Sequence, residues 1–158
     1  MPRLPSRPRS GPTRGFTLVE LALGLLIMSV LIALALPSYN GWRERVKVKA
    51  AQDDIIAISA VIDSRFTDTG ALPDSLADIG RSGKLDPWGN EYQYLNLMTA
   101  KGKGAARKDH SLVPLNSDYD LYSKGPDGAS AGPLTAAASR DDILRANNGR
   151  FIGPASNY

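Results

Sequence analysis

Cysteine is absent from the 158 residues, and histidine occurs once, at His110. The first absence removes disulfides, thiolate nucleophiles and cysteine-based zinc sites together. The second removes all-histidine metal clusters and the two-histidine facial triad. Acid is missing from the start of the chain, where residues 1–15 carry Arg3, Arg7, Arg9 and Arg14 without a counter-charge. Nineteen basic residues less those four leaves 15 against 16 acidic ones, so the net charge of +3 belongs to a short arm on a near-neutral body. A nucleic-acid partner would need a basic face, and that composition supplies none. What remains is ordinary globular usage, 42% hydrophobic and 22% charged, at a length suited to one domain with an appendage. With 15 glycines and 11 prolines, turns and loops are frequent.

Composition changes at Gly15. The following run, Phe16 to Leu36, reads FTLVELALGLLIMSVLIALAL and carries one charge, Glu20. As a helix it would span about 30 Å, the thickness of a bilayer's hydrocarbon core. A secretory signal peptide could be cut at Ala33-Leu34-Ala35, but its apolar region is only about 7–15 residues long. A plain membrane anchor fits the length and leaves Glu20 unexplained, since a charge at the centre of a membrane helix costs about 2.5–3.5 kcal/mol on insertion scales.

The stretch Gly15-Phe16-Thr17-Leu18-Val19-Glu20, with the long apolar run behind it, resembles the processing site of type IV pilins and of the pseudopilins of type II secretion. The resemblance implies that a prepilin peptidase cuts after Gly15 on the cytoplasmic side and methylates Phe16, giving an N-methylphenylalanine terminus. Residues 1–15 are then a cleaved cytoplasmic leader and 16–36 a transmembrane and assembly helix. Pro37 falls where the family often has a proline that loosens the helix. Beneath the headgroups a lone carboxylate is costly, and so is the free amine of Phe16. A neighbouring subunit, shifted along a filament, can offer its amine to Glu20, which makes the acid a register key. Orientation does not follow from charge, because Arg43, Arg45, Lys47 and Lys49 balance the four arginines on the other side.

Tyr39 and Trp42 sit where either a membrane-surface aromatic belt or filament packing would place them. From Gly41 to about Phe66, Ala51, Ile55, Ile58, Ile62 and Phe66 recur at steps of three and four, the pattern of an amphipathic helix. Together with the apolar run this predicts one helix of some fifty residues, interrupted at Pro37 and ended at Asp68-Thr69-Gly70. A short second helix is expected at 72–80, between Pro73 and Gly80. Strands are expected at 91–97 (EYQYLNL) and 117–123 (SDYDLYS). The basic tract at 101–108 (KGKGAARK) reads as a solvated hairpin tip or as a site for an acidic partner, with His110 beside it exposed and non-catalytic. The tail at 147–153 reads as a turn and a short apolar segment packed on the surface.

The blocks Asp86-Pro87-Trp88-Gly89-Asn90, Asp120-Leu121-Tyr122-Ser123 with Gly125, Asp127 and Gly128, and Asp141-Asp142-Ile143 resemble the major pseudopilins of type II secretion. That family implies an α+β, type IV pilin-like fold. Its long N-terminal helix, transmembrane in one half and amphipathic over 37–66, packs on a small antiparallel sheet in a head over 67–158, with a calcium ion pinning a C-terminal loop. Matching its motif assigns calcium ligands to Asp127, Asp142 and Asp141 and a backbone carbonyl to Lys124. The acids are suited to a hard cation, and calcium would raise the head's melting temperature. This sequence departs from the family over 129–139 (ASAGPLTAAAS), where a Gly- and Glu-rich loop is usual. The other reading is that Asp141 and Asp142 open a last helix.

The resemblance implies a structural subunit of a periplasmic pseudopilus that drives export of folded proteins. It would reside in the inner membrane as a single-pass protein with a cytoplasmic N-terminus and periplasmic head. Its partners would be further copies of itself, minor pseudopilins, the prepilin peptidase and an inner-membrane assembly platform with its ATPase. A type IV pilin of a surface fibre is the alternative, although such subunits commonly carry a C-terminal disulfide. An anchored hydrolase using Asp127, Asp141 and Asp142 has no evident general base or oxyanion group, so no catalytic residue is expected.

Overall fold

Apolar periodicity and end signals give the chain its main element. The computed structural model describes residues 15–102, 104–109 and 113–158, and α1 occupies Leu18–Thr69, 52 residues. Pro37 lies inside it without ending it, so the expected interruption does not occur. Proline removes one N–H and crowds the carbonyl one turn back, and here the helix absorbs that loss. Gly70 ends α1 in the left-handed region, at φ 72°, and its N–H bonds the Phe66 carbonyl at 2.8 Å.

The chain forms two compact units that part between Gly41 and Trp42. In the first, called the stem here, every described side chain is exposed, including Leu25 at 64% and Ile27 at 52%.

The second unit, the head, holds the remainder of α1 and the strands. β1 is Gln93–Asn96, β2 Lys108–Asp109, β3 Val113–Pro114, β4 Tyr119–Ser123, β5 Ile143–Ala146 and β6 Phe151–Pro154. β1, β4, β5 and β6 form an antiparallel sheet in the order β1-β4-β5-β6, with Leu95 opposite Asp120 and Leu144 opposite Gly153. β2 and β3 form a separate two-stranded hairpin. The expected strands at 91–97 and 117–123 are thus present in shortened form. At 72–80 the structure has a single 3-10 turn, Leu76–Ile79, ended by Gly80.

Strand alternation divides the head's interior into two layers. On one side Ala51, Ile55, Ile58 and Ile62 of α1 pack with Tyr92, Tyr119, Leu121 and Ile143. Phe66, expected on that face, is 41% exposed, because it lies in the last turn of α1 beyond the sheet contacts. On the other side Leu144 and Ala146 pack with Leu115, Leu134 and Ala155. Loops therefore cover the face of the sheet that α1 does not. Asp141 and Asp142 lead into β5 and not into a helix, and the apolar tail supplies β6, an edge strand of the sheet.

Candidate functional sites

The first candidate site is the start of α1. Gly15 and Phe16 precede the helix in irregular backbone, and Phe16 is 89% exposed. Glu20 lies in the first turn, and its Oε2 accepts both the Thr17 N–H at 2.9 Å and the Thr17 hydroxyl at 2.8 Å. The Glu20 N–H donates back to Thr17 Oγ1 at 3.2 Å. This is a reciprocal capping box, in which acid and hydroxyl satisfy each other's backbone donors. The T-x-x-E spacing announces it, so Thr17 is a site residue the sequence could have supplied. The same contacts hold the carboxylate against the Thr17 N–H, one residue beyond Phe16. The leader arginines lie outside the described residues, as do Lys103 and His110 of the head.

The second candidate site is where the family-like blocks of the head converge. Asp86 is buried, and its Oδ1 accepts the N–H groups of Trp88 at 3.0 Å and Asn90 at 2.8 Å. Its Oδ2 accepts the hydroxyl of Ser123 at 2.5 Å, and Ser123 Oγ in turn accepts the Gly125 N–H at 3.0 Å. Asn90 donates to the Gly125 carbonyl at 2.9 Å, and Trp88 Nε1 donates to Glu44 of α1 at 2.7 Å. One turn thereby ties α1 to the end of β4. Gly125 has φ +64°, and a Cβ there would stand 2.4 Å from the Asp141 carbonyl oxygen. Only glycine allows that approach.

Of the four residues matched to calcium, three lie on the two loops that meet at this glycine. Lys124 and Asp127 flank it, and Asp141 Oδ2 accepts the Asp127 N–H at 3.3 Å. Asp127 spends Oδ1 on the N–H of Ala129 at 2.8 Å. Asp142 goes elsewhere. Its side chain is 0% exposed, and Oδ2 accepts from Arg107 Nη2 at 2.5 Å and from the Ser130 hydroxyl at 2.7 Å. Burial pushes the Asp142 carboxyl up to about 6, against the pull of Ser130 and Arg107. Among the described residues, no group of three or more Asp, Glu, His or Cys side chains could hold a metal ion. Calcium wants six to eight oxygens. Of the four matched residues, the structure brings Lys124, Asp127 and Asp141 together and turns one oxygen of Asp142 to the Arg107 guanidinium.

Arg107 is the residue that sequence reasoning missed. In a run of glycine, alanine and lysine it reads as part of a solvated tip, yet it is 3% exposed. Its guanidinium lies 4.4 Å from the centre of the Tyr122 ring, and Nη1 donates to Ser130 Oγ and to the Ala131 carbonyl. A second buried arginine, Arg145, makes a two-pronged pair with Asp118 at 2.9 and 2.7 Å. Asp120, its carboxyl raised by burial, accepts the Arg107 N–H at 2.7 Å and the Asn116 amide at 2.9 Å.

Residues 12–36 match the family described as the prokaryotic N-terminal methylation motif. The chain is 32% identical over 139 residues to the type II secretion system core protein G of Pseudomonas aeruginosa, covering 75% of this chain and 87% of that protein. It is 29% identical to the core protein G of Escherichia coli, over 73% of this chain and 83% of that one. The Klebsiella pneumoniae core protein G is 27% identical, over 82% of this chain and 91% of its own. No solved structure matches the chain significantly.

Proposed function

The chain belongs to the type II secretion system core protein G family, and from that premise we propose that it is the main building block of a periplasmic pseudopilus. Its work is mechanical. Subunits wait in the inner membrane, join the base of a growing rod, and the rod drives folded proteins outward. The relatives' names favour this reading over the pilin of a surface fibre.

The observation that carries the proposal is the stem. It is a helix long and apolar enough to cross a membrane, with its large side chains uncovered. An apolar surface of that extent calls for lipid or for other copies of the helix. The one acid on it stands five residues beyond the glycine of the methylation motif. Cleavage after Gly15 would place a new amine at Phe16, next to Thr17 and so beside the capping box. In the filament Glu20 would exchange part of that local bonding for the amine of an adjoining subunit, and only one stagger would permit it. The stem would span the inner membrane once, with the leader cytoplasmic and the head periplasmic. Prepilin peptidase, minor pseudopilins and a platform with its ATPase would act on it in turn.

Intact mass of protein extracted from membranes tests the processing step. The expected species begins at Phe16 and carries one methyl group, whereas a chain beginning at Met1 or trimmed near Ala35 would sink the proposal. Electron microscopy of cells overproducing Glu20→Ala tests the assembly step, with processed monomer and no filaments expected. Ordinary filaments from that variant would count against the register role.

A further inference from the structure

Hydrogen bonds within the protein hold the loop over 129–139. Ser139 Oγ accepts the Ala131 N–H at 2.9 Å and donates to the Ala131 carbonyl at 2.8 Å, drawing the loop's ends together. The loop backbone also lies along β2, where Lys108 N–H meets the Gly132 carbonyl at 2.9 Å and Leu134 N–H meets the Lys108 carbonyl at 3.0 Å. That pairing delivers the neighbouring Arg107 beneath the loop, onto the face of Tyr122. The backbone of Arg107 is fixed on both sides, its N–H by Asp120 and its carbonyl by the Leu115 N–H at 2.9 Å.

We propose that the Arg107 guanidinium is the resident cation of this loop, binding Asp142, Ser130 and Ala131 where the family resemblance would put calcium, so that the head closes without metal. A buried carboxylate needs a positive partner, and Asp142 has one at 2.5 Å. A divalent ion brought to the same oxygen would stand against that positive charge in a region with little solvent to screen it. The two carboxylates left over, Asp127 and Asp141, fall well short of the six to eight oxygens of a calcium shell, and one oxygen of Asp127 already accepts the Ala129 N–H. Arginine suits the post better than lysine. Its planar fork reaches three acceptors at once, stacks on an aromatic ring and stays charged at any pH. The pair with Asp142 is single-toothed, for Arg107 Nε and Asp142 Oδ1 have no protein partner. The surrounding contacts with Ser130, Ala131 and Tyr122 therefore set the guanidinium's position as much as the acid does. The subunit's loop would then stay closed whatever the calcium level around it.

The test is thermal melting of the full-length chain in detergent, with excess calcium chloride or with excess chelator. The native chain is expected to melt at the same temperature in both. Arg107→Met should lose about 10 °C or more in both, because it leaves Asp142 buried without a positive partner. Arg107→Lys should fall between the two, keeping the charge and losing the fork. A native midpoint that rises in calcium over chelator overturns the proposal, as does an Arg107→Met variant that melts with the native chain. Should Arg107→Met fail to fold, titration calorimetry of calcium into the native chain decides. The absence of binding heat supports the proposal, and saturable one-to-one uptake overturns it.

Discussion

Between Gly15 and Arg43 no described residue is buried, while the head buries Asp86, Arg107, Asp120, Asp142 and Arg145 with their partners inside the same unit. Side-chain hydrogen bonds in the stem include local ones, from the Thr17 N–H to Glu20 and from Ser29 to the Leu26 carbonyl at 2.7 Å. In the head, many cross long stretches of sequence, as from Trp88 to Glu44 and from Arg107 to Asp142. The difference is one of self-sufficiency. An apolar helix with no covering surface is a specification for other molecules, whereas a unit that pairs most of its buried polar groups internally draws its shape mainly from its own contacts. A filament subunit benefits from the division, since its assembly surface and its stable body can change independently.

The largest effect that would break this comparison is at Glu20. Glu20→Ala should abolish filaments and leave the melting temperature of the detergent-solubilised chain unchanged, because the acid's bonds go to Thr17, three residues away. Differential scanning calorimetry of the variant beside the native chain checks it, and a clear drop in midpoint would show that the two units share stability.

Next in size is Gly125→Ala in the head. The residue would have to hold φ +64° with a Cβ pressed onto the Asp141 carbonyl. Left-handed backbone costs about 1–2 kcal/mol, and overpacking adds about 1–3 kcal/mol. Urea unfolding should register a loss of about 3 kcal/mol, and a variant of native stability would mean that the two loops are not packed as described. Asp86→Asn follows. It keeps the shape of the acid and weakens its bonds to Trp88, Asn90 and Ser123. A loss of about 2 kcal/mol is expected in the same measurement, since bonds to a charged acceptor are each worth about 1.5–3 kcal/mol.

The stem was legible in the sequence because its signals are local: an unbroken apolar run, one acid, and a glycine before a phenylalanine. The amphipathic face of α1 was legible for the same reason, as Ala51, Ile55, Ile58 and Ile62 carry a period that needs no knowledge of the sheet. Local signals misled where distant groups decide the outcome. Arg107 looks solvated among glycines and alanines because its partners are 15 and more residues away, at Tyr122, Ser130 and Asp142. Asp141-Asp142 suits a helix start by charge, but Ile143 and Leu144 are taken by pairing with Ser123 and Tyr122 on β4. The tail became a strand for a like reason, since Phe151–Pro154 completes a ladder with β5. Asp127, Asp141 and Asp142 form a cluster on paper that backbone direction then divides.

The smallest effect sharpens the comparison most, because it uses the same chemistry in both units. Ile62→Val removes one methylene from a side chain that is 0% exposed and packed with the tyrosines and leucine of the sheet. Such deletions cost about 0.5–1.5 kcal/mol, the transfer of the group plus the small space it leaves. Ile27→Val removes the same methylene from a stem position that is 52% exposed, where no folded neighbour loses a contact. In detergent the first variant should melt a few degrees lower and the second with the native chain. Should both shift alike, the stem must be buried against the chain's own body or against a stable second copy. A stem of that kind would already be satisfied, and its bare apolar surface would no longer argue for assembly.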